Sequence, residues 1–394
     1  MTQSSDPRHA DSALFPDSIA CPEVWPIIRS IEDVRPFVDP ARGIHLFEDG
    51  PFIVCRYTSS LPETFQTAMD LECRCMIFDK QSGNLLSRTF QKFFNKGERQ
   101  TLDDLDIKDA WLEHKLDGTM IGAFVYMGVV YYHTRGGLSK HAKAAQDFAS
   151  SSHDDLVRDA FSRGFTPIFE YTSPDNRVVI PYAAQSLTLL ALRHRKTGDY
   201  DPNLANKLAA RYGVPITETL GDNFSSPDSL ARCLDEIVAR EDIEGVVLVL
   251  PDGHRLKIKT QDYMRRHKIL ANIAREKYAY LCYLEDVLDD TAAALGGDRG
   301  RALTCFVEEL DKRLNDLCNE IATDLGNSVA AMKPQDRARH IKNTYSGILQ
   351  AAAFAVVAGT SPKERLKQIM GRRIHSPEKR AEIIEDLGLP HWSI

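Results

Sequence analysis

The hydrophobic pattern of the chain changes near residue 262, and this change limits the fold more than any other feature of the sequence. Before it, β-branched and aromatic runs bounded by Gly, Pro, Asp or Asn predict strands, which alternate with helical stretches. After it, apolar residues recur at the spacing of one helix face. We therefore predict an α+β domain with antiparallel sheets and flanking helices over residues 21–262, followed by an all-helical C-terminal domain over residues 263–394.

Individual elements follow from the same patterns. Strands are predicted at FIVCRY, ECRCMIFD, LLSRTF, AFVYMGVVYYHT, TPIFEYTS, VVIPY, LTLLALR and VVLVL, and helices at LSKHAKAAQDFASS and DSLARCLDEIVAREDI. The PDG turn after VVLVL predicts a hairpin with RLKIK. In the helical C-terminal region, a single apolar stripe contains Leu303, Phe306, Val307, Leu310, Leu314, Leu317, Cys318 and Ile321. Ser361-Pro362 and Ser376-Pro377 predict the starts of two further helices.

Composition and charge exclude several classes of protein. No apolar run has the length of a membrane span, so we expect no membrane partner. Residues 1–20 are polar and lack an apolar signal core, which predicts a disordered lead into a cytoplasmic protein, or one of the host cytoplasm if the source is viral. The eight cysteines form no CxxC pair, which argues against a zinc site or a disulfide framework. With a net charge of −7, any binding of nucleic acid must depend on local basic patches.

A lysine and an aspartate interrupt two apolar segments at KLDGT, residues 115–119. One interpretation is a tight turn in which Lys115 and Asp117 are solvated. The other is a lysine held as a nucleophile. K-x-D-G alone is a weak signal, and a surface turn is then the favoured interpretation.

Other charged residues lie in apolar, strand-like surroundings. In LECRCMIF, strand alternation would place Glu72 and Arg74 on one face, and Lys92 stands beside Phe93 and Phe94. Each of these has an ordinary explanation, such as a solvated or ion-paired arginine or a lysine that extends over aromatic core. The alternative is contact with an anionic ligand.

The same ambiguity recurs later in the chain. Arg135 ends an apolar run, Glu170 lies within PIFEY, and Glu244-Gly245 opens a strand. Lys257 and Lys259 are two apart and therefore share one strand face, where two like charges repel each other unless an anion lies between them. A structural ion pair for the glutamates and a solvated strand edge for the lysines are the ordinary alternatives.

Taken together, the order of these residues resembles the covalent nucleotidyltransferase superfamily of ligases and capping enzymes. KLDG resembles its first motif, PIFEY its central acidic motif, EGVV its fourth and LKIK its fifth. The flanks ECRCMIF, LSRTFQKFFNKGE and FEYTSPDNRVVIPY resemble the phage-type RNA ligase 1 family, which joins RNA ends in tRNA repair. The resemblance spans residues 41–260. Two positions depart from it, because Arg135 stands where a lysine is expected and Cys75 where a small residue, often Gly, is expected.

The resemblance implies a nucleotidyltransferase domain that uses ATP with Mg²⁺ or Mn²⁺. Lys115 would attack the α-phosphorus to give a lysyl-AMP, and the AMP would pass to an RNA 5′-phosphate that an RNA 3′-hydroxyl then attacks. Lys257 and Lys259 would stabilise charge on the α-phosphate, and Glu244 would anchor the metal. The implied ATP-binding residues are Arg74, Lys92 and Arg135 for the outer phosphates, Glu170 for the ribose, Phe94 or Tyr171 as the ring that stacks on adenine, Val247 as an apolar wall and Gly118 for close backbone approach.

The implied partner is RNA with 5′-phosphate and 3′-hydroxyl ends, and a broken tRNA is one candidate. The helical C-terminal domain would choose the RNA, through the basic stretch 361–380 and through YMRRHKI at the junction, although both are also typical of solvated helix faces. The sequence contains no G-x-x-x-x-G-K-[ST] loop, so we expect a separate kinase/phosphatase to heal the ends. The alternatives are a catalytically inactive nucleotide- or RNA-binding homologue, and a DNA ligase or capping-type enzyme. Those enzymes usually continue into a small β-barrel after the fifth motif, whereas this chain becomes helical.

Overall fold

The computed structural model of the chain describes residues 25–58, 60, 62–222, 224, 226–329 and 332–393. It consists of two compact units, Met1–Met264 and Arg265–Ile394, and the boundary falls inside the helix Gln261–Ile273. An α+β region with antiparallel sheets followed by a helical region confirms the predicted fold class. The predicted disordered segment 1–20 lies outside the described residues.

The first sheet of the N-terminal unit is a meander, in which each strand pairs with the next along the chain. Its strands are β1 (Ile44–Asp49), β2 (Phe52–Tyr57), β3 (Met76–Asp79) and β4 (Leu85–Arg88). The buried side chains of this sheet form a core with the residues before β1, including Ile28 and Val34.

Two further antiparallel sheets form the rest of this unit. The second sheet has the order β10-β5-β11-β12 and the third β7-β6-β8-β9. Their strands are β5 (Trp111–Lys115), β6 (Thr119–Tyr126), β7 (Val129–His133), β8 (Phe165–Thr172), β9 (Ser186–His194), β10 (Thr219–Gly221), β11 (Gly245–Val249) and β12 (Arg255–Lys259). The chain passes from the second sheet to the third within residues 116–118, so the KLDGT segment is the place where it changes sheet.

Helices cover the outer faces of these sheets. They are α1 (Ala68–Glu72), α2 (Lys140–Phe148), α3 (Ser151–Ser162), α4 (Pro202–Tyr212) and α5 (Pro227–Val238). Helices α2, α3 and α4 pack on the third sheet, and α5 packs on the second. Side chains cap their first turns, as where Asp201 accepts a hydrogen bond from the backbone N–H of Leu204.

The C-terminal unit is helical throughout its described residues. Its helices are α6 (Gln261–Ile273), which crosses the boundary, α7 (Glu276–Leu284), α8 (Leu288–Leu295), α9 (Gly297–Val329), α10 (Pro334–Thr344), α11 (Gly347–Val357), α12 (Pro362–Arg373) and α13 (Pro377–Leu387). The predicted apolar stripe of α9 is buried along its length. Ser361 caps α12 as predicted, because its hydroxyl accepts from the N–H of Glu364. Within the described residues, no helix is both long and apolar enough to cross a membrane.

The structure corrects three of the predicted strands. ECRC is not a strand, because helix α1, which begins after a reciprocal cap between Thr67 and Asp70, ends at Glu72, and β3 begins only at Met76. VVIPY is not a strand either, since the N–H groups of Val179 and Ile180 donate to the Asp117 carboxylate instead of a neighbouring strand. The run AFVYMGVVYYHT is a hairpin, β6 and β7, that turns at residues 127–128.

Candidate active site

A cavity of about 310 Å³ lies in the N-terminal unit and is lined from both the second and the third sheet. Strand alternation explains much of its composition, because Glu113 and Lys115 of β5 and Arg255, Lys257 and Lys259 of β12 face it, while Leu112, Leu256 and Ile258 pack in the core. The lining residues are Arg74, Phe90, Phe93, Asn95, Glu113, His114, Lys115, Leu116, Gly118, Met120, Glu170, Leu190, Val247, Arg255, Lys257 and Lys259.

Lys115 and Lys259 converge on one carboxylate. In the second sheet both residues pair with Gly245, so the two lysines flank the residue that follows Glu244. Lys115 Nζ lies 2.6 Å from Glu244 Oε2, and Lys259 Nζ lies 3.0 Å from Oε1. The glycine is required, because it has φ +149° and a side chain there would overlap the backbone of β12. The sheet register thus brings a nucleophile candidate and a second cation onto one buried anion.

Lys257 lies deeper and lacks a carboxylate partner within the described residues. Its ammonium donates to the carbonyl of Phe93 at 3.1 Å and lies 4.5 Å from the centre of the Phe93 ring. Burial, reinforced by the neighbouring charges of Arg74 and Lys115, lowers the pKa of Lys257 to about 6. An anion in the cavity would favour the charged form of this lysine.

Glu170 and Gly118 meet on the opposite wall. The N–H of Gly118 donates to Glu170 Oε1 at 3.1 Å. Burial raises the pKa of Glu170 to about 7, although the charge of Lys115 opposes the rise. A side chain at position 118 would overlap the carbonyl of Tyr171, so close packing of β6 against β8 requires glycine here.

Neither ring predicted to stack on a base lines the cavity. Tyr171 follows Glu170 in β8 and therefore faces the other side of the sheet, where its ring centre is 6.2 Å from that of Phe148. Phe94 packs against Phe65 in the core of the first sheet. The phenylalanines that line the cavity are Phe90 and Phe93, and the segment 89–94 is irregular and carries no periodic signal that would distinguish Phe93 from Phe94. Val247 lines the cavity as the sequence predicts.

The three cations predicted to bind outer phosphates are separated. Arg74 lines the cavity from the turn after α1, and its buried Nη1 has no hydrogen-bond partner among the described residues. Lys92 lies outside the lining, with its ammonium 5.1 Å from the Phe94 ring centre. Arg135 is exposed, and its guanidinium lies 5.0 Å from the Tyr57 ring centre. From the sequence the three residues had the same predicted role, whereas in the structure only Arg74 lines the cavity.

The aspartate of KLDG holds the turn in place. Asp117 Oδ2 accepts from the N–H groups of Val179 and Ile180 at 2.7 and 2.8 Å, and Oδ1 accepts from the hydroxyl of Tyr263 at 2.8 Å. The N–H of Asp117 donates to the hydroxyl of Tyr182. These contacts fix Lys115 and Gly118 on either side. Tyr182 ends the FEYTSPDNRVVIPY stretch and Tyr263 opens YMRRHKI, but nothing in the sequence indicated that either side chain contacts Asp117.

Cys75, where a small residue was expected, is buried next to Arg74 in the sequence. Its thiol donates to the carbonyl of Thr134 at 3.3 Å and contacts His133, which also bonds Ser87 at 2.8 Å. Burial lowers the pKa of His133 to about 4, so the imidazole is neutral. The three side chains link the residue before β3 with β4 and β7, and the departure from the expected residue is accommodated by packing.

A divalent metal would find few protein ligands here. Among the described residues, no three His, Cys, Asp or Glu side chains form a cluster that could hold a metal ion. Glu244 and Glu170 are the carboxylates beside the lysines, and both oxygens of Glu244 contact ammonium groups. This donor set fits a Mg²⁺-type ion that keeps its water and phosphate ligands and takes one or two carboxylates.

In comparisons with known proteins, the matching family model and the similar relatives are described as RNA ligases. A family model described as RNA ligase matches residues 72–270. A predicted RNA ligase of Thermovibrio ammonificans is 25% identical over 376 residues, which cover 93% of this chain and 90% of that protein. RNA ligase 1 of bacteriophage TS2126 is 27% identical over 286 residues, 68% of this chain and 69% of that one.

Two further similarities are more limited. A predicted bifunctional polynucleotide kinase/RNA ligase of Autographa californica nuclear polyhedrosis virus is 28% identical over 238 residues, 52% of this chain and 33% of that protein. Among solved structures, an archaeal ATP-dependent RNA ligase superposes with a TM-score of 0.47 at 16% identity, covering 73% of this chain and 79% of that one.

Proposed function

The chain belongs to the RNA ligase family of the phage RNA ligase 1 type, and we propose that it uses ATP to join an RNA 5′-phosphate to an RNA 3′-hydroxyl through a lysyl-AMP and an adenylated RNA. The observation that carries the mechanism is the position of Lys115. It lies on one cavity wall with Lys257, Lys259 and Arg74 around it, and its ammonium contacts a buried carboxylate.

In the first step, Lys115 Nζ forms a bond to the α-phosphorus while the bond to the bridging oxygen of pyrophosphate breaks. The ammonium must lose its proton before it attacks, because only the neutral amine is a nucleophile. Lys257 and Lys259 then stabilise the negative charge that develops on the α-phosphate oxygens. Since the triphosphate is itself an anion, its binding charges Lys257, whose pKa is about 6 in the free protein.

The remaining lining residues position the nucleotide. Glu170, with a pKa of about 7, accepts hydrogen bonds from the ribose hydroxyls, and Gly118 allows the backbone to approach the sugar. Phe93 and Val247 enclose the base. Arg74 binds the β- and γ-phosphates, and its unpartnered Nη1 is the donor available for them. Lys92 and Arg135 lie outside the lining, so we assign them to the departing pyrophosphate or to RNA.

A bound divalent metal would neutralise phosphate charge and help the pyrophosphate to leave. We assign its protein contact to Glu244. Engagement of this carboxylate by a metal would weaken its contact with Lys115, which would then be able to reach the α-phosphate.

In the later steps the RNA 5′-phosphate oxygen attacks the AMP phosphorus and breaks its bond to Lys115. The RNA 3′-hydroxyl then attacks the activated 5′-phosphate, and AMP leaves. We propose that the C-terminal unit selects the RNA, because the basic stretch 361–380 exposes Arg365, Arg372, Arg373 and Lys379. The viral relative is named as a bifunctional protein, with a polynucleotide kinase and an RNA ligase in one chain. No phosphate-binding loop of the P-loop type occurs in this sequence, so end healing is assigned to a separate enzyme.

The test is covalent labelling followed by a substrate panel. Incubation with α-labelled ATP and a divalent metal should leave label on the protein after denaturing electrophoresis, whereas a nucleotide- or RNA-binding homologue without activity carries none. The panel contains single-stranded RNA, a tRNA cleaved in its anticodon loop, single-stranded DNA and a nicked DNA duplex. Sealing of the two RNAs in preference to both DNAs is expected, and preferred sealing of the nicked DNA would identify a DNA ligase instead.

A further inference from the structure

Three arginines of the N-terminal unit come together around the buried thiol of Cys75. Burial raises the pKa of this thiol to about 12, and the positive charges of Arg74, Arg56 and Arg135 all oppose the rise. Arg74 precedes Cys75 in the chain and lines the cavity. Arg135 is exposed and follows Thr134, whose carbonyl accepts from the Cys75 thiol at 3.3 Å. The positive charge of the cavity therefore extends to residues that lie outside its lining.

The first sheet and an aromatic ring hold Arg56 at this place. Cys55, the residue before it on β2, pairs with Met76 on β3. The next step along this antiparallel ladder places Arg56 next to Cys75. The Arg56 guanidinium lies 4.2 Å from the ring centre of Phe47 on β1, and the residue is half-buried. A guanidinium stacked on a ring keeps its planar donors in one orientation.

The protein leaves donors of these arginines unused. The buried Nε of Arg56 and the buried Nη1 of Arg74 have no hydrogen-bond partner among the described residues. Within the part of the chain that the structure describes, no carboxylate forms an ion pair with Arg56, Arg74 or Arg135. Like charges that are close together repel each other, so three unpaired guanidiniums around one point are suited to an anionic ligand.

The stereochemistry of phosphoryl transfer indicates which anion reaches this place. The attacking and the leaving group lie roughly in line at the phosphorus. Pyrophosphate therefore leaves on the side away from Lys115, and the RNA 5′-phosphate that later attacks the lysyl-AMP enters from that same side. It takes the position of the departed β-phosphate beside Arg74, while the rest of the RNA strand continues out of the cavity.

We propose that Arg56 binds the first internucleotide phosphate of the RNA strand that carries the 5′-phosphate. Its planar N–H donors match two oxygens of one phosphate. The inference rests on the proposed function and adds to it the path by which this strand leaves the cavity. ATP ends at the γ-phosphate, which is assigned to Arg74, so Arg56 acts in the transfer of AMP to RNA and not in the formation of the lysyl-AMP.

The experiment compares two 5′-phosphorylated RNA donors that differ only in the linkage between the first two nucleotides. This linkage is a phosphodiester in one donor and an uncharged methylphosphonate in the other. Transfer of AMP from the preformed enzyme–AMP adduct is measured for each. With the natural chain, the second-order rate constant should be about tenfold lower for the methylphosphonate donor, as expected for one lost hydrogen bond to a charged group. With Arg56→Met, both donors should react at that lower rate.

The salt dependence gives a second measurement, which a loss of packing would not change. One phosphate contact to a single strand contributes about 0.7 to the slope of log affinity against log salt. Arg56→Met should therefore reduce the slope for the phosphodiester donor by about 0.7. If Arg56→Met folds poorly, Arg56→Lys replaces it, and since this variant keeps the charge it should still prefer the phosphodiester donor.

The control is Arg211→Met. It removes an exposed guanidinium that lies 5.3 Å from the ring centre of Tyr212 on α4 and outside the cavity lining. This variant should keep both the preference for the phosphodiester and the salt dependence of the natural chain. Formation of the AMP adduct from ATP should be within about twofold of the natural rate in Arg56→Met and in Arg211→Met, because neither residue lines the cavity.

The outcomes separate this inference from the proposed function. Equal transfer to both donors by the natural chain, or a full preference that persists in Arg56→Met, would show that Arg56 does not bind this phosphate, and the ligase chemistry would stand. The same holds if Arg56→Met slows adduct formation from ATP as much as it slows transfer to RNA. If ATP forms no adduct with the natural chain, the proposed function fails and this inference fails with it.

Discussion

The N-terminal unit contains two groups of buried charges, one in which the charges are paired with each other and one, in the cavity, in which they are not. The ion cluster, defined as Glu72, Arg88 and Arg193, is almost completely removed from solvent. Glu72 Oε1 lies 2.8 Å from Arg88 Nη2 and 2.7 Å from Arg193 Nη2, and both arginines also donate to backbone carbonyls. Burial alone would raise the pKa of Glu72, yet the two guanidiniums hold it below its ordinary value.

The cavity contains charges that the protein does not balance. Cations predominate around Lys115, and burial shifts the pKa of Lys257 to about 6 and that of Glu170 to about 7, in both cases towards the neutral form. Arg74 and Arg255 keep buried N–H groups without partners among the described residues. The comparison teaches that burial of a charge does not identify a site. What distinguishes the site is that buried charges without enough partners line a cavity, since the missing partners are then those of the ligand.

The largest expected effect is on Lys115. Lys115→Met should reduce formation of the AMP adduct below detection, because no other group takes the place of the nucleophile. Sealing of RNA that is supplied already adenylated at its 5′ end should persist, since that substrate bypasses the attack by Lys115. Lys80→Met, which removes an exposed lysine paired with Glu48, should retain both reactions. Adenylation by Lys115→Met at even a tenth of the natural rate would contradict the assignment.

The ion cluster should be the most sensitive point for stability. Glu72→Gln leaves two guanidiniums facing each other in the core, so the free energy of unfolding should fall by about 3–5 kcal/mol, as for a broken buried ion pair. Urea titration monitored by tryptophan fluorescence measures the change. The matched control is Glu32→Gln, whose partner Arg35 is exposed, and it should leave the titration unchanged. Equal effects of the two substitutions would remove the distinction between the cluster and the surface.

Lys257→Met should separate stability from activity. Adenylation should slow about a hundredfold or more, as when one donor to a developing charge is lost. The ligand-free protein should become more stable, because a poorly solvated charge is removed. The folded pKa of about 6 lies below the ordinary value of 10.5, so the unfolded chain binds this proton more readily between those values and the natural protein gains stability as pH rises through that window.

The gain in Tm from Lys257→Met should therefore be largest at pH 6 and small at pH 10. Lys259→Met is the matched control, because Lys259 is paired with Glu244. It should slow adenylation without raising Tm. A lower Tm for Lys257→Met at pH 6 would show that this lysine is an ordinary stabilising residue.

The smallest expected effect is on ATP binding by the variant of Phe93, an aromatic residue that lines the cavity. Phe93→Leu should raise the KM for ATP about threefold to tenfold, in line with the 0.5–1.5 kcal/mol of a ring contact. Phe94→Leu changes the adjacent residue, which packs in the core of the first sheet, so it should lower Tm and leave KM unchanged. Initial rates of adduct formation at varied ATP measure both. The reverse pattern would return the stacking role to Phe94.

The sequence predicted which way a side chain faces only where the chain forms a regular strand. Alternation along β12 correctly predicted that Lys257 and Lys259 face one side and Ile258 the other, and the same rule separates Glu170 from Tyr171 in β8. It failed at Arg74, because the cap of helix α1 and the long-range bonds of Glu72 to Arg88 and Arg193 override the local pattern.

Residues that act through distant partners carried no signal. Asp117 was visible only within a motif, and its bonds to Val179, Ile180 and Tyr263 depend on how separate segments of the chain come together. In the sequence Arg255 is one more charge beside a turn, and only the folded second sheet brings it to the same cavity as Glu113. Sequence order therefore identified the cations near the reaction centre, whereas the residues that enclose the rest of the cavity could be named only from the folded structure.

The most direct test of the account is to determine which lysine carries the nucleotide. A pKa of about 6 makes Lys257 a rival nucleophile, since the neutral amine attacks. We assign attack to Lys115 because Lys257 is held by the carbonyl of Phe93, while a ligand that engages Glu244 frees Lys115. Peptide mass spectrometry of the adduct should locate AMP on the peptide that contains Lys115. AMP on the peptide that contains Lys257 would contradict the account.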